Sequence, residues 1–251
     1  MRKPRIYSAQ TLTSGATLKL EEGPSVHIAR ALRMRADDSL VLFDGRGSEW
    51  PAHIRQIDKK AVTVTLGERS VRSSESPLHI HIGIAISRGD RMDWIVQKAT
   101  ELGVSAITPL RSERSEVKLK GERAEKILRH WRQIAISACE QCGRNMLPQL
   151  DAVTQLTDWT SSVNALRKYV LHHRASATAE ISETPSSIAL LIGPEGGLTD
   201  AEITGSEQVG FSALALGPRV LRTETAPLAA IAILQARWGD MAVPLSTQPD
   251  T

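Results

Sequence analysis

From Leu78 onward the chain alternates apolar runs too short for helices with longer segments of helical periodicity. Leu78–Ile86 (LHIHIGIAI), Val104–Leu110, Tyr169–His172, Ile188–Ile192 and Ala213–Leu216 read as strands. Arg91–Leu102 and Glu122–Cys142 read as helices, each followed by a glycine. Thr199-Asp-Ala-Glu202 has the form of a capping box and opens another helix. Thr225–Trp238 reads as the last, with Thr225 as N-cap and Pro227 in its first turn. Apolar strands separated by helices specify an α/β fold with a mostly parallel sheet covered on both faces.

The first 75 residues follow a different rule. Ala16–Leu20, Ser39–Phe43, Ala52–Ile57 and Ala61–Leu66 read as short strands, with a turn at Asp44–Gly47. One helical stretch, Ser25–Arg35, interrupts them, which together suggests a small β-barrel. Lys and Arg number 13 against 9 Asp and Glu in residues 1–75, and 18 against 19 in the rest. The basic excess therefore sits in the N-terminal part, as in a module that meets a polyanion. The expected division is 1–71 for the barrel, 72–77 for a polar linker ending in Pro77, 78–243 for the α/β domain and 244–251 for a tail. The longest apolar run lies in Ala226–Leu234, far short of the roughly 20 residues that span a bilayer. No membrane association is expected, and two cysteines with no secretory-type start point to a cytoplasmic protein.

Two segments could carry chemistry. Leu190–Leu198 (LLIGPEGGL) runs from a buried strand through a glycine-rich turn toward the capped helix. Glycines allow close backbone approach to a ligand, although a tight strand-to-helix turn explains them equally well. Neither a phosphate loop nor the dinucleotide-binding glycine spacing is present. Leu214–Ala226 (LALGPRVLRTETA) places a second Gly-Pro after a second strand, with Arg222, Thr223, Glu224 and Thr225 before the last helix. Open α/β sheets bind ligands at such strand C-terminal ends.

IGPEGG at 192–197 and LGPRVLRTETA at 216–226 resemble the knot motifs of the SPOUT methyltransferases. More narrowly, the chain resembles the family that methylates N3 of a uridine in small-subunit (16S) ribosomal RNA. His27–Arg33 (HIARALR), Lys98–Gly103 (KATELG), Arg111–Ser115 (RSERS) and Glu140–Arg144 (EQCGR) with Pro148 extend the match over nearly the whole chain. Ala36-Asp37-Asp38 departs from it, where the family has Gly-Asp. The resemblance implies a PUA-like RNA-binding barrel, an α/β domain tied in a deep trefoil knot, a homodimer, and S-adenosylmethionine as methyl donor, giving S-adenosylhomocysteine without a metal.

It also implies site residues. The donor would lie against Leu191, Ile192, Gly193, Glu195, Gly196 and Gly197 on one side. On the other would be Leu216, Gly217, Leu221, Arg222, Glu224, Thr225 and Ala226, with Leu171 and His172 closing a third. Arg222 would steer the uracil or stabilise its charge, and Glu224 or Glu195 would accept the proton. Arg5, Arg30 and Arg33 would hold RNA from the N-terminal domain, and Arg88, Arg111, Arg114 and Lys118 beside the reaction centre. No DNA partner is implied.

Other features read as structural. Cys139 and Cys142 lack a second ligand pair and end a helix, so both are packing residues. His79 and His81 share one strand face at the domain junction, and Trp131, Trp159 and Trp238 are core or dimer contacts. Two competing functions stand beside the leading one. A SPOUT enzyme with another RNA target disagrees with the His27–Arg33 and Lys98–Gly103 stretches. A non-catalytic ribosome assembly factor disagrees with the intact Gly193, Gly196, Gly197, Arg222 and Glu224, and donor binding separates it.

Overall fold

The computed structural model describes residues 3–58, 61–117, 119–172 and 184–241. Two compact units emerge: residues 1–75 with 136–147, and residues 76–135 with 148–251. Residues 136–147, placed in the second domain from sequence, thus group with the first unit. The break at 75/76 has a hydrogen-bonded partner on each side. Glu75 is held by Arg144 Nε and Nη2 at 3.0 and 2.5 Å within the first unit. Ser76 donates to Gln235 Oε1 at 2.6 Å within the second.

The first unit contains β1 (Arg5–Tyr7), β2 (Thr17–Lys19), α1 (Glu22–Val26), β3 (Ser39–Phe43), β4 (Ser48–Ile57), β5 (Val62–Leu66) and β6 (Ser70–Val71). Its sheet runs β1-β3-β4-β5-β2, with β6 on β4; only the β1–β3 pair is parallel. Among the described residues no ladder joins β1 to β2. Strand alternation turns Ile6, Leu40, Leu42, Ile54, Val62 and Val64 into one apolar core. At the β3–β4 turn, the Asp44 carboxylate accepts from the backbone N–H of Arg46 and Ser48, as an Asx turn does.

The helix expected over Ser25–Arg35 starts and ends earlier, at Glu22 and Ala31. After α1 the backbone widens into a π-helical turn, His27–Ala31, and Arg33 leaves it with φ +53°. At the Ala36–Asp38 departure, Asp37 takes the left-handed conformation (φ +71°) that glycine otherwise fills, and the turn still closes. Asp38 accepts from the Arg35 N–H at 2.7 Å.

The second unit contains β7 (His79–Ala85), α2 (Arg91–Glu101), β8 (Ala106–Arg111), α3 (Gly121–Cys142, whose last residues join the first unit), β9 (Gln149–Leu150) and β10 (Thr154–Gln155). It continues with α4 (Leu156–Ser162), β11 (Arg167–Leu171), β12 (Ser187–Ile192), α5 (Asp200–Gln208), β13 (Ser212–Leu214) and α6 (Thr225–Trp238). The sheet order is β10-β8-β7-β12-β11-β13 with β9 on β8, and every pair is parallel.

Both faces are covered, as the apolar strands required. On β12, Ile188, Leu190 and Ile192 join a core with Ile80, Ile82, Ile84, Ile95, Trp131 and Ile231. Ala189 and Leu191 join a second core on the other face with Trp159, Val163 and Phe211. Period-2 alternation thus divides one strand between two cores. No helix of the described residues is long and apolar enough to cross a membrane.

The capping box is present: Thr199 Oγ1 accepts from the Glu202 N–H at 3.2 Å, and Glu202 accepts from the Thr199 N–H at 2.9 Å. Glu202 is buried and also accepts from the Glu113 N–H at 2.9 Å. Glu202→Ala would strand both donors, and a loss of about 2 kcal/mol is expected in urea denaturation. At α6 the cap falls one residue earlier than the sequence suggested. Glu224 occupies it without a side-chain bond, and Thr225 is the first helical residue.

Candidate active site

Three adjacent parallel strands, β12, β11 and β13, end together, and their C-terminal ends open into a cavity of about 370 Å³. One wall is the turn after β12. It carries Ile192, Gly193, Pro194, Glu195, Gly196, Gly197 and Leu198. The opposite wall is the segment after β13, with Leu214, Leu216, Gly217, Arg219, Val220, Leu221, Thr223 and Ala226. Leu171 and His172 close it from the end of β11, and Arg114, Asp200 and Ile203 complete the lining.

The turn is sterically specified. A Cβ on Gly193 would stand 3.0 Å from both the Leu198 backbone N and its Cγ, closer than the loop tolerates. The Gly197 N–H closes the turn on the Pro194 carbonyl at 2.8 Å. Arg114 braces it from outside, its Nη1 donating to the Gly196 carbonyl at 2.9 Å.

The chemistry of the lining is mixed. Aliphatic side chains from both walls form an apolar slot. Within it, both ring nitrogens of His172 are buried without a hydrogen-bond partner among the described residues. A buried imidazole left so is costly unless a ligand satisfies it. The cavity therefore suits a ligand with a flat or aliphatic body and polar edges.

Beside the cavity lies a charge cluster. Glu195 Oε1 accepts from the Arg88 backbone N–H at 3.1 Å and from Arg91 Nη1 at 2.5 Å. Burial pushes the Glu195 carboxyl up, but its own N–H, that of Arg88 and the Arg91 guanidinium outweigh this and hold it below the usual carboxylate value. Arg91 Nε also stands 3.6 Å from Glu224 Oε2, and Arg222 Nη1 stands 4.0 Å from Glu224 Oε1.

Residues 74–235 match the family described as RNA methyltransferase domain, and residues 26–67 match the RNA methyltransferase PUA domain. The ribosomal RNA small subunit methyltransferase E of Buchnera aphidicola (from Schizaphis graminum) is 37% identical over 96% of this chain and 98% of its own. The chain belongs to the ribosomal RNA small subunit methyltransferase E family. Two solved structures agree. One from Neisseria gonorrhoeae, bearing the family name and bound to S-adenosyl methionine, superposes with a TM-score of 0.89 at 38% identity, covering 96% of this chain and 100% of that one. A Legionella pneumophila methyltransferase in complex with the same cofactor gives 0.92 at 42%, with the same coverage.

Within this family member, the structure sorts the residues expected from sequence. Leu171, His172, Ile192, Gly193, Glu195, Gly196, Gly197, Leu216, Gly217, Leu221 and Ala226 line the cavity. Leu191 does not, because strand alternation turns it into the core with Trp159. Arg222, Glu224 and Thr225 are also off the lining. In the segment before α6, Leu221 and Thr223 line the cavity, while Arg222 extends into solvent with its side chain 83% exposed. Arg219, Val220 and Leu198 were not singled out, although all three lie within the quoted segments, whereas Thr223 of the polar cluster does line the cavity.

Of the basic residues assigned to RNA, Arg5 needs correction, and the others differ in their exposure and partners. Arg5 is buried, in a 2.9 Å ion contact with Glu49 and over the Phe43 ring at 5.3 Å, so it holds β1 to its neighbours and is not free for phosphate. Arg111 is half-buried, donating to the Leu119 carbonyl from Nε and Nη2 at 3.3 and 3.0 Å. Arg88 pairs with Glu116. Arg30 and Arg33 are exposed; Lys118 and the 244–251 tail lie outside the described residues. His81 and Trp159 belong to a network inside the second unit: His81 Nε2 is 2.7 Å from Thr108 Oγ1, which donates to Asp151 at 2.6 Å. Cys139 is buried, and burial pushes its thiol up to about 12, which makes it inert.

Proposed function

We propose that this chain transfers a methyl group from S-adenosylmethionine to N3 of a uridine in 16S ribosomal RNA of the small subunit. The observation that carries this reading is the cavity at the ends of β11, β12 and β13, formed by the two motif segments of a family member. We further read the two segments as the sides of a deep trefoil knot, the chain as a homodimer, and its setting as the cytoplasm.

The cavity residues fit the donor. Leu171, Ile192, Leu214, Leu216 and Leu221 offer an apolar slot for the adenine and ribose edges, and His172 offers a polar contact in the lining. When bound, S-adenosylmethionine supplies a methyl group already activated by its sulfonium. The chain must then align uracil N3 and accept its proton. Loss of that proton spreads negative charge over N3 and both carbonyl oxygens, which guanidinium donors stabilise. Arg222 is assigned to that charge. Proton acceptance goes to Glu224, since Glu195 is committed to Arg91 and the Arg88 N–H and is the weaker base for it.

The test is transfer of labelled methyl from S-adenosylmethionine to small ribosomal subunits from cells lacking this gene, followed by nucleoside mass analysis. Label in 3-methyluridine is the expected result. Donor binding without transfer would move the target to another RNA, and no donor binding would overturn the enzyme reading.

A further inference from the structure

A second, more open cleft of about 700 Å³ adjoins the charge cluster and is lined by Arg88, Gly89, Asp90, Arg91, Trp94 and Glu224. Nothing in the proposed donor chemistry accounts for it. Its most unusual member is Trp94. On α2, Met92, Ile95 and Val96 enter the core and Asp93 is bonded to Trp131 Nε1 at 3.0 Å, but Trp94 is 51% exposed. The Lys98 ammonium lies 5.1 Å from its ring centroid and is itself fixed by Glu101 at 2.8 Å. An indole with a cation over one face still has a second face for a flat partner.

Two lining residues, Arg91 and Glu224, and one neighbour outside the lining, Arg222, bring polar groups together here. Glu224 stands between two guanidiniums, Arg91 at 3.6 Å from one carboxylate oxygen and Arg222 at 4.0 Å from the other. Neither distance is a hydrogen bond; Arg91 gives Nη1 to Glu195 and directs Nε toward Glu224 without bonding it. Donor, acceptor, donor is the complement of the uracil Watson–Crick edge, which presents O4, N3–H and O2. Cytosine presents an amino donor, N3 and O2, and would set a bare N3 lone pair against the Glu224 carboxylate.

We propose that this cleft seats the acceptor uracil, stacked on Trp94, with Arg91 and Glu224 of its lining reading the Watson–Crick edge and the solvent-exposed Arg222 reaching it from beside the cleft. The proposal rests on the uridine-methylation reading above and adds two residues to it, Trp94 as platform and Arg91 as a specificity determinant. The seat shares a wall with the donor cavity, because Glu195 lines the cavity and binds Arg91 of the cleft. The exposure of Trp94 means that changing it leaves the core intact.

The test uses the full chain with fluorescein-labelled oligouridine and oligocytidine, read by anisotropy, alongside calorimetric S-adenosylmethionine binding and light-scattering mass. Trp94→Ala is expected to weaken oligouridine binding about tenfold, with Trp94→Phe retaining most of it. Donor affinity and assembly mass should be unchanged. Glu224→Gln should bring uridine and cytidine affinities together, since an amide can present either a donor or an acceptor. Wild-type affinity in Trp94→Ala would overturn the seat, as would a loss of binding that follows only a change in assembly mass. The two readings fail separately. Trp94-dependent uridine binding with neither donor binding nor methyl transfer leaves the seat and removes the enzyme, whereas transfer that ignores Trp94→Ala does the reverse.

Discussion

Arg222→Ala is expected to slow single-turnover methyl transfer about 100-fold at saturating donor and ribosomal subunit, the order of cost of removing one hydrogen-bond donor from a developing anion. The structure makes this change clean. Its side chain is 83% exposed and makes only the 4.0 Å contact to Glu224 among those described, so neither core nor cap is disturbed. Leu221 and Thr223 on either side keep lining the cavity. Donor affinity measured by calorimetry should therefore stay within about twofold while the rate collapses, placing the residue on the acceptor side. Arg222→Lys should recover part of the rate, because an ammonium supplies charge without the planar fork. An unchanged rate in Arg222→Ala would remove this residue from the chemistry and pass its role to Arg91.

Much of this site was legible because its elements obey strong local rules. β-branched and aliphatic runs at 188–192 and 79–85 could be buried only in a parallel sheet, and the Thr199–Glu202 capping box marked where the glycine turn must end. Three things were not legible. α4 (LTDWTSS) is rich in residues with low helix propensity, and it is helical because Leu156 and Trp159 are buried against the sheet, a tertiary cause. The His27–Ala31 turn follows a helical pattern, and its wider hydrogen-bond register leaves no mark in residue spacing. Arg5 looked like a phosphate ligand because formal charge says nothing about burial; Glu49 and Phe43, both distant in sequence, decide its role. The same limit separates Leu191 from Ile192: the motif names both, and only strand alternation says which one faces the cavity.

The largest stability effect is expected from Gly83→Ala, where a single methyl group would be added at the centre of the sheet. Gly83 lies on β7, paired with Thr108 on one side and Leu191 on the other. A Cβ there would stand 2.5–2.6 Å from three carbons of the Trp159 ring. The ring has little room to yield. Trp159 is 4% exposed, set edge-on to His81 at 5.4 Å and against Phe211 at 5.9 Å. Its indole N–H also points to His81 Nε2 at 3.4 Å, so displacing it disturbs the Thr108–Asp151 chain as well. Overpacking of this kind costs about 3 kcal/mol, read as a lower urea midpoint at unchanged slope. Trp159→Leu in the Gly83→Ala background should restore part of that loss, a non-additivity that identifies the ring as the obstacle. The consequence reaches function because β7 leads through Ile86–Asp90 into α2, which carries Arg91 and Trp94. A sheet strained at Gly83 should therefore weaken uridine binding before it weakens donor binding, whereas a wild-type midpoint in Gly83→Ala would mean that Trp159 packs more loosely than its burial implies.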